Sequence, residues 1–187
     1  MIDFVRSHAT VVVRGNHDHA VPTAKMAKET MQFTRSVLSR DQIEYLASLP
    51  LMVERTVQGT RFVLCHAAPS DPLYRYVPAN SQQWTEEMKL VSTDVLLVGH
   101  THTPFLQSVG QSQVVNPGSL GQPKTGSIRA CYATWENGAV LQSCRYDLPA
   151  TLSKIDKMPV SSQVKEDLKA VLVSGGRSTS SALLLRD

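Results

Sequence analysis

The apolar run VLLV at positions 95–98 most constrains what this chain can fold into. A short strand that is apolar on both faces is typical of the centre of an α/β sheet, where layers cover both sides. The motif GHTH follows at once, at positions 99–102. The sequence therefore predicts a central strand over residues 94–98 whose carboxyl end carries two histidine side chains, His100 and His102.

Two other apolar runs end in the same way. VVVRG at 11–15 is followed by Asn16 and His17, and RFVLC at 61–65 is followed by His66. Ligands of open α/β sheets collect outside the carboxyl ends of the strands, so we expect the three strand ends to converge on one crevice. Imidazole and amide oxygen together suit Mn, Fe, Zn or Ni better than Ca or Mg. The pattern predicts a metal site.

Each of these residues, taken singly, has a structural interpretation. A lone histidine at a strand end is more often a hydrogen-bonded structural residue than a ligand, and Asn16 could hold a turn because Gly-Asn is a common turn pair. The repetition of the pattern at three strand ends favours the metal site. His8 and His19 lack the pattern, and we predict that both lie at the surface.

Hydrophobic periodicity and turn residues predict the remaining elements. Asp41 is the predicted N-cap of a helix that runs through residue 48. Other helices are predicted over 1–7, 84–91, 149–157 and 161–173. Residues 23–39 are predicted to be mixed helix and loop, and the glycine pair at 175–176 is predicted to end the last helix. Strands are predicted over 10–14, 51–57, 61–65, 104–109, 113–115, 130–135 and 139–146.

The composition is that of an ordinary globular domain, which we assign to residues 1–173 with a flexible tail over 174–187. The net charge of +3 gives no indication of nucleic acid or of a membrane surface. No apolar run reaches the roughly 18 residues of a membrane helix, and the start lacks a signal-peptide layout. Cys65, Cys131 and Cys144 are typical of reduced core thiols, with a Cys131–Cys144 bridge as the alternative, so we expect the cytoplasm.

Four motifs together resemble the later signature blocks of the calcineurin-like metallophosphoesterases, over roughly residues 1–147. They are GNHD at 15–18, the histidine of LCHAAP at 64–69, GHTH at 99–102 and NPGS at 116–119. The chain is most similar to the small bacterial single-domain branch of phosphodiesterases and phosphatases. The resemblance implies an α/β fold, a four-layer α/β/β/α sandwich, with a two-metal site at the strand ends.

The resemblance also implies an activity and a set of metal ligands. Asn16, His66 and His100 would bind one metal ion, and His102 would belong to the other. The implied reaction is metal-dependent hydrolysis of small-molecule phosphate mono- or diesters, in which two cations polarise the phosphoryl group. Mn²⁺ is the metal we expect, with Fe, Zn or Ni as alternatives.

Neighbouring residues receive roles by the same resemblance. His17 would donate a proton to the leaving-group oxygen, and Asp18 would orient His17. Arg14 and Arg129 are candidates for gripping phosphate, although a surface or supporting role explains them equally well. NPGS at 116–119 is predicted to be a backbone turn beside the site rather than a catalytic group.

The first two blocks of the family, a D-x-H and a G-D, do not occur in this sequence. We therefore expect a sandwich that lacks its opening strands, as if the chain began about 50 residues late, with an exposed strand edge at 10–14 and an uncovered apolar face. Neutral ligands offset little cationic charge, so we expect at most one metal ion here. Either the working enzyme is longer, or the chain is a remnant that binds a metal or a partner without catalysis.

Overall fold

A five-stranded mixed sheet forms the centre of the protein, for which a computed structural model describes residues 1–23 and 28–176. Strands β1 (Met52–Val57) and β2 (Thr60–Cys65) form an antiparallel hairpin. Strand β3 (Val95–Leu97) is parallel to β2 and to β5 (Ser112–Asn116), and β4 (Phe105–Val109) is antiparallel to β5. The strand order is β1-β2-β3-β5-β4, so the predicted strand over 94–98 is confirmed near the middle of the sheet.

A second sheet covers one face of the first. It is the antiparallel hairpin of β6 (Ala130–Trp135) and β7 (Ala139–Cys144). Phe62 of β2 contacts Trp135 edge to face, with ring centroids 4.8 Å apart. A cavity of about 360 Å³ with apolar walls remains between the sheets, lined by Phe62, Leu64, Leu97 and Trp135 among others. The uncovered apolar face expected from the sequence stays a prediction.

Seven helices complete the described part of the chain. They are α1 (Ile2–His8), α2 (Asn16–Thr23), α3 (Glu29–Val37), α4 (Arg40–Ser48), α5 (Gln83–Met88), α6 (Leu148–Asp156) and α7 (Ser162–Ser174). Helix α2 packs with α3 and α4 around Val21, Leu46 and Leu49. Trp84 of α5 packs against Phe105 on the face of the main sheet that the second sheet leaves free. None of the described helices combines the length and apolar character needed to cross a bilayer.

Both faces of the main sheet are therefore buried, in agreement with the apolar run at 95–98. Val95 packs in the cluster between the two sheets, whereas Leu96 packs in the cluster beneath α5. Alternating side chains of one strand reach opposite faces, so an unbroken apolar run suits this position.

Three local predictions are wrong. Residues 10–14 are not in a strand, because no described strand pairs with them; the Arg14 N–H donates instead to the carbonyl of Pro50. The N-cap of α4 is Ser39 rather than Asp41, since Ser39 and Gln42 form a reciprocal capping box. Cys144 is exposed rather than in the core, because the last residues of β7, an edge strand, are open to solvent; all three thiols are free.

Two further expectations concern the surface and the tail. His8 is exposed as predicted, but Nδ1 of His19 is buried, since α2 lies packed against α3 and α4. Helix α7 ends at Gly175, which adopts a left-handed conformation with φ of 63°, as the Gly-Gly pair predicted. The tail predicted for 174–187 lies outside the described residues beyond residue 176.

Candidate metal centre

Three segments that are distant in sequence meet at the carboxyl ends of β2 and β3. Asn16 is the first residue of α2, His66 directly follows β2, and His100 lies three residues after β3. Since β2 and β3 are parallel, their carboxyl ends lie side by side. The N–H of Gly99 donates to the carbonyl of His66 at 2.8 Å, so the two loops are joined directly beside the histidines.

Side-chain donors from these segments are in contact. Nε2 of His66 lies 3.0 Å from Oδ1 of Asn16 and 3.2 Å from Nδ1 of His100. The two imidazole rings are 5.0 Å apart between centroids and nearly perpendicular. The structure therefore brings Asn16, His66 and His100 into one cluster.

The spacing and charge of these donors fit a single cation. Two ligands with bonds of about 2.1 Å lie about 3.0 Å apart when they subtend a right angle at the metal. Burial, reinforced by the charges of three neighbouring histidines, lowers the pKa of His66 to about 4. Its imidazole is therefore neutral near pH 7, which is the form that binds a metal.

The amide of Asn16 is essential to this donor set. Within residues 1–23 and 28–176, no group of three or more His, Cys, Asp or Glu side chains is arranged to hold a metal ion. The cluster reaches three donors only when the oxygen of Asn16 is included. None of the three donors is a carboxylate, which limits the cationic charge that the cluster can accept.

His102 stands beside the cluster with its ring orientation fixed. Nδ1 of His102 donates to the carbonyl of Gln122 at 2.8 Å, which leaves the lone pair on Nε2 available as a ligand. Burial lowers the pKa of His102, and the charges of Lys124, His100 and His17 also lower it. His102 therefore stays a predicted ligand of a second metal position.

The backbone at both GHTH histidines is unusual. His100 and His102 have φ angles of 58° and 59°, in the left-handed region that residues with a side chain rarely occupy. Such conformations concentrate at functional sites because the surrounding structure must hold them. The buried side chain of Asn116, at the end of β5, donates to the carbonyl of Gly99 within this loop.

Sequence reasoning missed the role of the Asn116 side chain, since 116–119 was interpreted as a backbone turn. The turn is present, and Oδ1 of Asn116 accepts from the N–H of Gly118 at 2.9 Å. The available signal was a polar residue that directly follows the apolar pair Val114 and Val115 at a strand end.

The remaining predicted site residues lie at the edge of the cluster. His17 is exposed and close enough for its charge to act on His66. Oδ2 of Asp18 accepts from the N–H of Gly15 at 2.9 Å, so this carboxylate holds the turn before α2.

Both arginines that were predicted to bind phosphate donate hydrogen bonds to other residues of the protein. The guanidinium of Arg14 donates to the carbonyl of Ala47 in α4. The guanidinium of Arg129 donates to Oγ and to the carbonyl oxygen of Ser143, each at 2.8 Å. Phosphate binding by either residue stays a prediction.

Comparison with known proteins identifies relatives of the whole described fold. The family model for the calcineurin-like phosphoesterase superfamily domain matches residues 2–138. An uncharacterized protein of Methanocaldococcus jannaschii is 26% identical over 186 aligned positions, which cover 83% of this chain and 73% of that protein. A probable metallophosphoesterase of Mycoplasma pneumoniae is 34% identical over 70 residues, which cover 36% of this chain and 42% of that protein.

Two solved structures share the architecture. A metallophosphoesterase from Sphaerobacter thermophilus superimposes with a TM-score of 0.75 at 23% identity, covering 93% of this chain and 81% of that one. A hypothetical protein from Pyrococcus horikoshii superimposes with a TM-score of 0.79 at 20% identity, covering 95% of this chain and 78% of that one. At these identities the likeness shows the fold, and it confirms the predicted α/β class.

Proposed function

The chain belongs to the calcineurin-like phosphoesterase superfamily, and from that membership we propose that its histidine cluster hydrolyses phosphate mono- or diesters of small molecules. The observation that carries the proposal is the contact of Asn16 and His100 with His66. These residues come from three separate segments and are all of a type that binds metal ions. A structural pair of histidines would not need a third donor from the start of α2.

The same three residues would hold a divalent cation, for which we propose Mn²⁺, with Fe, Zn or Ni as alternatives. A bound cation supplies Lewis-acid stabilisation of the charge on a phosphoryl group. The chain's own contribution is a neutral pocket: burial keeps His66 unprotonated at neutral pH and so keeps its lone pair available. His102 would belong to a neighbouring metal position.

His17 is the proton donor in this proposal. It follows Asn16 directly and remains exposed, so a substrate oxygen can reach its imidazole. An imidazolium group can donate a proton to a leaving-group oxygen. Asp18 contributes indirectly, since its carboxylate holds Gly15 and so fixes the backbone from which His17 projects.

The charge of the metal ligands determines how many metal ions we expect each chain to bind. Two divalent cations would bring four positive charges into a pocket whose donors from this chain are all neutral. We propose that these residues hold one cation per chain, and that hydrolysis by this chain is slow. The free thiols support a reducing compartment, and we propose the cytoplasm.

Calorimetric titration with Mn²⁺, together with a chromogenic phosphodiester assay, tests the proposal. We expect one Mn²⁺ site per chain and Mn²⁺-dependent hydrolysis well below the roughly 10 s⁻¹ of a typical enzyme. The variant His100→Ala should lose both, whereas His8→Ala, which changes an exposed histidine of α1, should keep both. Mn²⁺ binding or hydrolysis that survives in His100→Ala would contradict the proposal.

A further inference from the structure

Tyr76 lies at the mouth of the metal centre. Its ring is 6.1 Å from that of His100 between centroids, with an angle of 68° between the ring planes. Tyr76 is 52% exposed although it contacts the cluster. Half of an aromatic side chain is therefore open to solvent directly beside a proposed ligand.

The backbone that carries Tyr76 is anchored on both sides. On one side, Nε of Arg75 donates to Glu87 at 3.3 Å; this carboxylate is almost fully buried and also accepts from the N–H and hydroxyl of Ser70. On the other side, Val77 is 1% exposed and packs in the core beneath α5. The loop has no regular secondary structure, but both neighbours of Tyr76 in the sequence are anchored.

We propose that Tyr76 is a specificity-determining residue whose ring contacts the organic group of the substrate, and that the site prefers phosphate esters of aromatic alcohols. The inference rests on the proposed function, because the cluster must first bind the phosphoryl group. A ring held in place loses little conformational freedom on binding. Aromatic pairs prefer centroid separations of 4.5–7 Å. The aromatic group of a substrate bound beside His100 could therefore contact the solvent-exposed side of the Tyr76 ring.

Tyr74 provides a matched control on the same loop. It is 49% exposed, close to the value for Tyr76, and its N–H donates to the carboxylate of Asp71. Of the two tyrosines, only Tyr76 has a ring contact with a histidine of the cluster among the described residues. A general effect of losing an exposed tyrosine would therefore appear in both variants.

The test compares two non-hydrolysable probes, methylphosphonate and phenylphosphonate, by calorimetry on the Mn²⁺-loaded protein. We expect phenylphosphonate to bind about two- to tenfold more tightly, the range of an aromatic contact. Tyr76→Ala should bring the two affinities together by weakening phenylphosphonate alone. Tyr76→Phe and Tyr74→Ala should keep the preference, and Tyr76→Leu repeats the test if Tyr76→Ala does not fold.

The outcomes separate this inference from the proposed function. If methylphosphonate binds and the phenyl group adds nothing, the role of Tyr76 is overturned while the phosphoesterase proposal stands. If neither probe binds, both are overturned. A preference that survives in Tyr76→Ala, or one that Tyr76→Phe abolishes, also overturns the inference, since the second result would assign the effect to the hydroxyl group.

Discussion

The side-chain amide of Asn116 donates a 2.6 Å hydrogen bond to the carbonyl oxygen of Gly99, the residue before His100. The same amide donates to the hydroxyl of Thr101 at 3.1 Å. One fully buried side chain at the end of β5 therefore binds the backbone of Gly99 and the side chain of Thr101, the two residues that flank His100. This arrangement contributes to holding the loop in which two histidines adopt left-handed conformations.

Replacing Asn116 by alanine should lower both stability and metal affinity. The carbonyl of Gly99 and the N–H of Gly118 would each lose a partner in a partly buried region, which costs about 1–3 kcal/mol. Urea unfolding measures the first effect and Mn²⁺ titration the second. Asn137→Ala, in the exposed turn between β6 and β7, is the control. A folded Asn116→Ala protein with unchanged Mn²⁺ affinity would show that the loop is held by other contacts.

His17→Ala should separate catalysis from metal binding. If His17 donates a proton to the leaving group, its loss should slow hydrolysis by about 10²- to 10⁴-fold. Metal content should remain nearly intact, because the cluster contacts are made by Asn16, His66 and His100. Elemental analysis of the purified variant alongside the rate is the measurement. Loss of metal would show that His17 is a ligand and that its role has been misassigned.

The sequence predicted those parts of the fold that depend on neighbouring residues. The central strand followed from four successive apolar residues at 95–98, and the strands predicted over 51–57 and 61–65 correspond to β1 and β2. The cluster could be anticipated because Asn16, His66 and His100 each directly follow or closely follow an apolar run. A repeated local pattern carries information that a single histidine lacks.

Features that depend on distant partners could not be predicted. Valines at 11–13 favour a strand locally, but a strand needs a pairing partner, and the described residues offer none. Ser39 and Asp41 both suit an N-cap, and only the contacts of Gln42 decide between them. Asn116 acts on residues 15 and 17 positions away in sequence, through a side chain that is common in turns.

Gly118→Ala should destabilise the turn that follows β5. Gly118 has a φ of +88°, and a Cβ atom there would lie 2.7 Å from Cβ of Cys131. Backbone strain and overpacking together should cost at least about 2 kcal/mol in the free energy of unfolding. Gly121→Ala is the matched control, since its added Cβ meets nothing within 4 Å. Equal stability of the two variants would mean that the turn relaxes without cost.

The ion pair of Arg61 and Asp94 lies at the amino end of β3, far from the metal centre. It should make the stability of the protein depend on pH. Oδ1 of Asp94 accepts a hydrogen bond from the guanidinium of Arg61 at 2.9 Å, and Oδ2 accepts one from the backbone N–H of Arg61 at 2.8 Å. These hydrogen bonds hold the pKa of Asp94 below its usual value of about 3.9.

Because that pKa is lowered in the folded state, the pair stabilises the protein above about pH 4, and the contribution disappears as the pH falls through the folded value. Asp94→Asn should therefore be less stable than the wild type at pH 7, with a difference that shrinks toward pH 3 and in high salt. Urea unfolding across that range is the measurement. Mn²⁺ affinity should not change, since His100 follows the opposite end of β3. A stability difference that grows on acidification would have the wrong sign for a lowered carboxyl pKa and would exclude this pair as its source.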